Sequence, residues 1–182
     1  MKAVMVRYAD DFVVLCRKGQ GPEMHRRLRG WLEGRGLKLN EQKTRIVDFE
    51  QESFEFLGFR LAWRKARSGR SYPHCEPSLK SCDKLRAAIR EETARSTLWK
   101  EPEDVIARVN RRTRGWIGYF HYANSAQVFG KMQRQLRERM RRWLWKKHGR
   151  TRAHYGDHYS NERLHDHYGL IQFPLHTTWQ RA

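Results

Sequence analysis

The chain has 182 residues, enough for one domain or two small ones, and carries 38 Lys and Arg against 20 Asp and Glu, a net charge of +18. So strong a positive charge indicates a polyanionic partner, for which nucleic acid is the usual candidate and an acidic membrane surface the alternative. No apolar run approaches the roughly 20 residues that cross a bilayer, the N-terminus has no signal-peptide pattern, and three widely spaced cysteines predict reduced thiols, so we expect a cytoplasmic protein without membrane contact.

The N-terminal segment predicts a β-hairpin with carboxylates at its tip. Residues 3–6 and 12–16 are apolar runs, and residues 9–11 between them form the turn. Asp10 and Asp11 are adjacent anions that disfavour each other, and a Mg²⁺ ion, which prefers oxygen ligands, relieves that repulsion. The alternative interpretation is that the two Asp residues only favour the turn.

A helix and further strands are predicted next. Residues 21–36 have helical spacing between an opening Gly-Pro and a closing Gly. Residues 37–39 and 44–47 are predicted as short strands on either side of a turn. Residues 54–61 resemble a strand with apolar residues on both faces, which indicates burial on two sides or a hairpin bent at Gly58.

The second half is predicted to be helical. Residues 63–77 are polar, basic and interrupted by Gly and Pro, and we interpret them as a linker. Ser78 is expected to cap one helix, Pro102 to begin a second, and Asn124 or Ser125 to begin a third that ends near residues 148–149. Residues 150–182 show little periodicity and are predicted to be a basic tail rich in His and Tyr.

The second of these helices is amphipathic, with a cationic outer face. Its apolar arc consists of Val105, Ile106, Val109, Thr113, Trp116, Ile117 and Phe120, and its opposite arc carries Arg108, Arg111, Arg112 and Arg114. Gly115 and Gly118 also lie on the outer face, although each costs about 1 kcal/mol relative to Ala in a helix. Close approach by an RNA backbone or another helix would explain them. We therefore predict a phosphate-contacting strip that includes Arg108, Arg111, Gly115, Gly118 and Tyr122, with Arg112 beside it also binding RNA; a merely solvated face is the alternative.

The third helix shows a similar pattern. Arg134, Arg137 and Arg141 lie beside its apolar stripe, and Trp145 continues their line. Arginine donates paired hydrogen bonds to phosphate, and an exposed Trp stacks on unpaired bases. We predict that these residues bind RNA, with an affinity that falls steeply as salt increases.

Two metal sites are disfavoured by spacing. His74, Cys75 and Cys82 do not form the paired Cys pattern of a zinc site. The four histidines of the tail lack the Cys pairs and the His-Asn-His pattern expected of a nuclease: His154, His158, His165 and His167.

Four motifs carry a resemblance to one family. Residues 7–15 (RYADDFVVL) resemble the catalytic hairpin of reverse transcriptases in its group II intron form, and residues 36–44 (GLKLNEQKT) resemble the palm motif that follows it. Residues 54–61 (FEFLGFRL) are similar to the element that holds the primer terminus, and residues 115–120 (GWIGYF) to the core of the maturase-specific thumb. In this order they resemble the C-terminal part of a group II intron reverse transcriptase/maturase.

The resemblance implies a role for each matching residue. Asp10 would be the principal metal-binding carboxylate and Asp11 its partner, in a site where two Mg²⁺ ions hold the attacking and leaving oxygens of nucleotide transfer. Tyr8 would contact the template–primer. Lys43 would steady the departing pyrophosphate, unless it is only a solvated lysine of the turn. The bend that touches the primer backbone would consist of Leu57 and Gly58.

The implied fold is α+β, with a partial reverse-transcriptase palm followed by an all-α, three-helix thumb. We assign residues 1–62 to the palm (β-hairpin, helix and short strands), 63–77 to the linker, 78–149 to the maturase thumb (domain X) and 150–182 to the tail. The family completes its metal site with a third Asp on an earlier palm strand and holds the nucleotide with fingers, and we match neither here. We therefore expect RNA binding, to a group II intron RNA or a template–primer, without polymerisation by this chain alone.

Three alternatives remain open. The chain could be the active half of a split enzyme, complemented by a separate N-terminal reverse transcriptase part or by an intact copy. It could be a decayed remnant that binds RNA only through its charge. It could also belong to a related reverse transcriptase of phage defence or a CRISPR system.

Overall fold

The computed structural model describes residues 2–149 and 158–174. Its α+β architecture confirms the predicted fold class, with small sheets first and a helical region after them. The strands are β1 (Ala3–Tyr8), β2 (Asp11–Cys16), β3 (Phe54–Phe56), β4 (Phe59–Lys65) and β5 (Ser71–Pro77). The helices are α1 (Gly21–Glu33), α2 (Leu79–Glu92), α3 (Pro102–Phe120) and α4 (Ala126–Lys147).

Strands β1 and β2 form the predicted antiparallel hairpin. Their register pairs Ala3 with Cys16 and Tyr8 with Asp11, so Ala9 and Asp10 are the two loop residues. Ala9 has φ 51°, and a positive φ at the first loop position is typical of a type II′ turn. Most of the apolar side chains of β1 are exposed, among them Val4 at 61% and Met5 at 52%. The hairpin therefore presents an apolar surface that the described residues do not cover.

Helix α1 begins and ends where the sequence predicts. Gly36 has φ 71° and donates its N–H to the carbonyl of Glu33 at 3.0 Å, while the N–H of Leu37 reaches the carbonyl of Leu32 at 3.0 Å. This pair of bonds is the Schellman motif, which requires a left-handed residue and so favours Gly.

The two short strands predicted after α1 are wrong. Residues 37–40 and 44–48 have no regular secondary structure, with a turn between them. A strand is stable only beside a partner. The described residues provide no strand that pairs with either segment, and their apolar pattern therefore does not produce a sheet.

The second sheet contains three strands in the order β3-β4-β5. Leu57 and Gly58 connect β3 to β4 with φ values of 50° and 78°, the two positive angles of a type I′ hairpin turn. The predicted bend at Gly58 is thus confirmed. Residues 63–77, which we predicted to be a linker, are instead the end of β4, a turn closed between Ala66 and Arg70, and β5.

The hydrophobic core lies in the helical half of the chain. Ser78 is the N-cap of α2, as predicted, and accepts a hydrogen bond from the N–H of Ser81 at 3.2 Å. Pro102 begins α3 and Ser125 is the N-cap of α4. Helices α2, α3 and α4 each contribute buried apolar side chains to this core: Cys82, Leu85, Ile89, Val105, Ile106, Val109, Phe120, Phe129, Met132, Leu136, Met140, Trp143 and Leu144.

The prediction of a tail is wrong for residues 158–174, which pack on this core. Their buried side chains are Tyr159, Leu164, Leu170 and Phe173. Asn110 of α3 donates to the carbonyl of Gly169 at 2.8 Å and accepts from the N–H of Ile171 at 2.9 Å. Gln133 of α4 accepts from the N–H of Phe173 at 2.6 Å.

The chain divides into two compact units. One comprises residues 1–56 and 61–73, and the other comprises residues 57–60 and those from 74 onward. The β3–β4 turn thus belongs to the same unit as α2, α3 and α4. Within the described residues, no helix is both long and apolar enough to cross a membrane.

Candidate nucleic-acid interface and polymerase carboxylates

The two adjacent carboxylates lie at the tip of the β1–β2 hairpin. Asp10 is a loop residue and Asp11 is the first residue of β2, directly opposite Tyr8 in the register. Opposed residues of an antiparallel pair point to the same face, so Tyr8 and Asp11 share one face of the hairpin. Both Asp residues are exposed, and Arg7 donates to the carbonyl of Ala9 at 2.8 Å across the turn.

The carboxylates at this tip are the type of ligand that Mg²⁺ binds, but two are too few to form a complete site. Carboxylate oxygens are the ligands that Mg²⁺ prefers. In the part of the chain that the structure describes, however, no group of three or more His, Cys, Asp or Glu is arranged to hold a metal ion. Asp10 and Asp11 could therefore supply part of a metal site, to which another carboxylate must be added.

Lys43 lies in the turn after α1. The turn is organised by Asn40, whose side-chain oxygen accepts from the N–H of Gln42 at 3.1 Å and whose carbonyl accepts from Thr44. Lys43 is exposed, and among the described residues it forms no ion pair with Asp10 or Asp11. The structure therefore explains the turn but does not bring Lys43 and the carboxylates together.

The turn at Leu57 and Gly58 is fastened to the helical unit by hydrogen bonds. The carbonyl of Gly58 accepts from the N–H of Ser78 at 2.8 Å and from the hydroxyl of Ser81 at 2.9 Å. Tyr119 donates its hydroxyl to the carbonyl of Leu57 at 3.0 Å. These contacts hold the turn against the beginning of α2 and the last turn of α3.

Gly58 is required by this packing. A Cβ at this position would lie 2.8 Å from the Ser81 hydroxyl and 3.6 Å from the Phe120 ring, and the backbone is left-handed. We expected the glycine to allow close approach to a primer. The close approach that the structure contains is to Ser81, so its role toward a primer stays a prediction.

The outer face of α3 is exposed and cationic, as the helical angles predicted. Arg108, Arg111, Gly115, Gly118 and Tyr122 are all exposed, Tyr122 at 71%. A Cβ added to Gly115 or Gly118 would meet no atom within 4 Å. Packing within the described residues therefore does not account for either glycine. We call these five residues the α3 strip.

Arg112 differs from the α3 strip because it is ion-paired. Its Nε lies 2.9 Å from a carboxylate oxygen of Glu92, which is largely buried, and its Nη2 lies 3.6 Å from the exposed Glu91. The pair joins α3 to the end of α2. A contact between Arg112 and RNA, which we predicted, would have to form beside this ion pair.

Four residues of α4 were predicted to bind RNA, and we call them the α4 row: Arg134, Arg137, Arg141 and Trp145. Most of them contact other residues of the protein. Arg137 donates to His165 at 2.9 Å, and burial, followed by the nearby Arg141, lowers the pKa of its guanidinium. Arg141 donates to the carbonyl of Tyr159 at 2.8 Å. Trp145, predicted to be exposed, is half-buried against the core. Of this row, only Arg134 is an exposed residue.

The residues considered for zinc are not arranged as a site. His74, Cys75 and Cys82 form no metal-binding group among the described residues. Burial, and to a smaller extent the charge of Glu76, raises the pKa of the Cys75 thiol to about 11. Such a thiol is protonated at neutral pH and is a poor ligand or nucleophile. Of the tail histidines, His154 lies outside the described residues, and the others form no such group.

Two aromatic residues were not predicted from the sequence. Trp99, between α2 and α3, is 76% exposed, with the Lys100 ammonium 5.7 Å from its ring centre. Tyr119 fixes the Leu57 carbonyl and stacks on Phe59 with ring centres 5.4 Å apart. The sequence could have indicated Tyr119, because it directly follows Gly118 on the exposed side of the helix. Trp99 had no signal, because it lies outside any periodic segment.

Comparison with protein families finds one match in each half of the chain. Residues 1–61 match the model of the reverse transcriptase (RNA-dependent DNA polymerase) family, and residues 82–160 match that of the group II intron maturase-specific domain. A search of curated proteins finds no match. The two matches occur in the order expected of the C-terminal part of a group II intron reverse transcriptase/maturase, which this chain resembles over residues 1–61 and 82–160.

Proposed function

We propose that this chain is an RNA-binding part of a group II intron reverse transcriptase/maturase and that the α3 strip contacts the RNA backbone. In the intact family this region serves RNA-directed DNA synthesis and intron splicing. The observation that carries the proposal is the outer face of α3, where two glycines stand in open space beside Arg108 and Arg111, which form no ion pair among the described residues.

The α3 strip suits an RNA backbone in both charge and shape. Arg108 and Arg111 present forked guanidinium groups that donate two hydrogen bonds to a phosphate. Gly115 and Gly118, one and two turns further along, leave the helix surface low enough for a backbone to approach closely. Tyr122 ends the strip with an exposed ring on which a base can stack.

We further propose that Asp10 and Asp11 belong to the polymerase metal site and that a carboxylate from outside the described residues completes it. The support is the resemblance of residues 7–15 to the catalytic hairpin and the exposed position of both carboxylates at its tip. Bound Mg²⁺ would supply Lewis-acid stabilisation of the reacting phosphate oxygens. Tyr8 would lie beside the template–primer, since it shares a face with Asp11.

Lys43, Leu57 and Gly58 complete the proposed polymerase surface. Lys43 would attract the pyrophosphate as an exposed cation. The turn at Leu57 and Gly58 would hold the primer from a position that α2 and α3 determine, because its carbonyls are bonded to Ser78, Ser81 and Tyr119.

Primer extension on an RNA template with Mg²⁺, combined with an RNA titration across a salt series, tests both proposals. We expect salt-sensitive RNA binding and no extension by this chain alone. Extension that disappears in Asp10→Ala would contradict the incomplete metal site. Absence of RNA binding in a folded sample would contradict the proposal for the α3 strip.

A second candidate function is that of an active half of a split enzyme. It is favoured by the β1–β2 hairpin, whose exposed apolar residues include Val4 at 61%, Met5 at 52% and Leu15 at 49%. An apolar surface of this kind on a hairpin is typical of an interface with another strand or chain. Adding a separately expressed N-terminal reverse transcriptase part should then restore extension, and an Asp10→Ala sample with the same addition should remain inactive.

A further inference from the structure

We propose that the groove between the end of α2 and the outer face of α3 binds a single phosphate group of the RNA backbone. The groove has a volume of about 560 Å³ and is lined by Glu92, Arg108, Arg111 and Arg112. The proposal rests on the proposed RNA binding and adds to it a defined pocket with a defined ligand group.

Three arginines line this groove with one acid, Glu92, and a second acid, Glu91, pairs with Arg112 without lining the groove. Arg108 and Arg111 lie one turn apart on α3, so their side chains flank the same opening. Among the described residues, neither forms an ion pair or a side-chain hydrogen bond. Their donors are therefore available to an incoming anion.

The Arg112 guanidinium makes two contacts with acids, and only one of them is weak enough for a phosphate to replace. Its Nε is bonded to Glu92 at 2.9 Å, and the Glu92 side chain is only 12% exposed. Its Nη2 faces Glu91 at 3.6 Å, a longer contact with a side chain that is 73% exposed. An exposed ion pair of this length contributes little. A phosphate oxygen could therefore take the place of Glu91 while Glu92 keeps the guanidinium oriented.

This arrangement makes Glu91 a competitor of the phosphate. Replacing Glu91 with Gln removes the competing charge without touching the buried pair between Glu92 and Arg112. Glu103→Gln is the matched control, because Glu103 is an exposed acid on α3 that, unlike Glu91, forms no ion pair with an arginine of the groove among the described residues and gives the same change in net charge. The probe is a labelled RNA duplex, with affinity measured at several salt concentrations.

We expect Glu91→Gln to bind the duplex several-fold more tightly than Glu103→Gln. Arg112→Gln should lower the magnitude of the salt slope by about one, the value for one lost phosphate contact. Equal affinities of the two Glu variants would overturn the proposal. Circular dichroism checks that each variant is folded.

Titration with inorganic phosphate, followed through the arginine Nε–H signals in NMR spectra, separates this proposal from the proposed function. Shifts of the Arg108 and Arg111 signals together with duplex binding support the pocket, whereas shifts without duplex binding would show an anion site and overturn RNA as its ligand. Salt-sensitive duplex binding without any phosphate-induced shift would leave the α3 strip in place and overturn the pocket.

Discussion

At the scale of single residues, four glycines of this chain illustrate two different situations. Gly58 has a left-handed backbone and is surrounded by Ser81 and Phe120. Gly115, Gly118 and Gly130 are helical and stand in open space. The first situation is explained by folding. For Gly115 and Gly118, which lie among the arginines of α3, packing within the described residues supplies no reason, and the proposed RNA contact would supply one.

The two kinds of glycine should respond oppositely to a methyl group. We expect Gly58→Ala to lower the free energy of unfolding by roughly 1–2 kcal/mol through the left-handed backbone alone, with the contact to Ser81 in addition. Gly115→Ala should raise it by up to about 1 kcal/mol, because alanine is the better helix former and meets no neighbour. Urea denaturation of both variants measures the difference. Similar stability changes of the same sign would contradict the packing described for these sites.

RNA affinity distinguishes the α3 strip from the rest of the helical surface. Gly118→Leu should weaken RNA binding several-fold, because a large side chain would prevent the backbone from approaching α3. Gly130→Leu is the control, since Gly130 is also an exposed glycine in open space, on α4. If a folded Gly118→Leu protein binds RNA as tightly as the control, the α3 strip does not contact RNA.

Cys75 provides a test of the packing at β5. Because burial and Glu76 raise its pKa to about 11, the thiol should be protonated at pH 8 and react slowly with iodoacetamide. The rate should rise steadily as the pH increases toward 11, as the thiolate forms. Mass spectrometry of Cys75 after timed labelling measures this rate. A rate at pH 8 equal to that of the urea-unfolded chain would show that Cys75 is not buried as described.

At the scale of elements, the sequence predicted structure that depends on local residues, such as helix termini. It did not predict structure that depends on a distant pairing partner, such as strands. The beginnings of α1, α2, α3 and α4 and the end of α1 followed from capping residues, Pro and Gly in their own sequence. Residues 37–39 and 44–47 failed as strands because a strand requires a neighbour that the local sequence does not specify. The segment 63–77 was missed because β4 and β5 carry polar side chains between their apolar ones.

The candidate site shows the same division. The exposed face of α3 could be calculated from helical angles alone, and the structure places every residue of the α3 strip on the surface. The α4 row could not be judged in that way. Arg137 and Arg141 look like a cationic face until residues 158–174 are seen to pack against them, and the buried residues of that segment are too sparse to form a periodic pattern.

The docking of residues 158–174 depends on Asn110. Asn110→Ala removes both the hydrogen bond to Gly169 and that from Ile171. We expect the Ile171 amide to exchange with solvent at least ten-fold faster, as follows from a loss of about 1.5 kcal/mol of local stability. Hydrogen-exchange mass spectrometry detects this change. Gln127→Ala, an exposed change on α4, is the control, and equal exchange in the two variants would contradict the docking.

At the scale of the whole molecule, the turn that resembles the primer-holding element belongs to the helical unit. Residues 57–60 are grouped with α2, α3 and α4, and the bonds from Ser78, Ser81 and Tyr119 hold the turn there. A protein with a charge of +18 would also attract RNA without any specific contact geometry. The central question is therefore whether RNA contacts are localised to α3 or spread over the surface.

The most direct test compares two charge-matched double variants in the same RNA titration. One is Arg108→Gln with Arg111→Gln, and the other is Arg26→Gln with Arg142→Gln, whose arginines are paired with Glu23 and Glu138. We predict that the first loses affinity markedly and that the magnitude of its salt slope falls by about two, while the second remains close to wild type. Equal losses in both would show that the chain binds RNA through its overall charge and would contradict the account of the α3 strip.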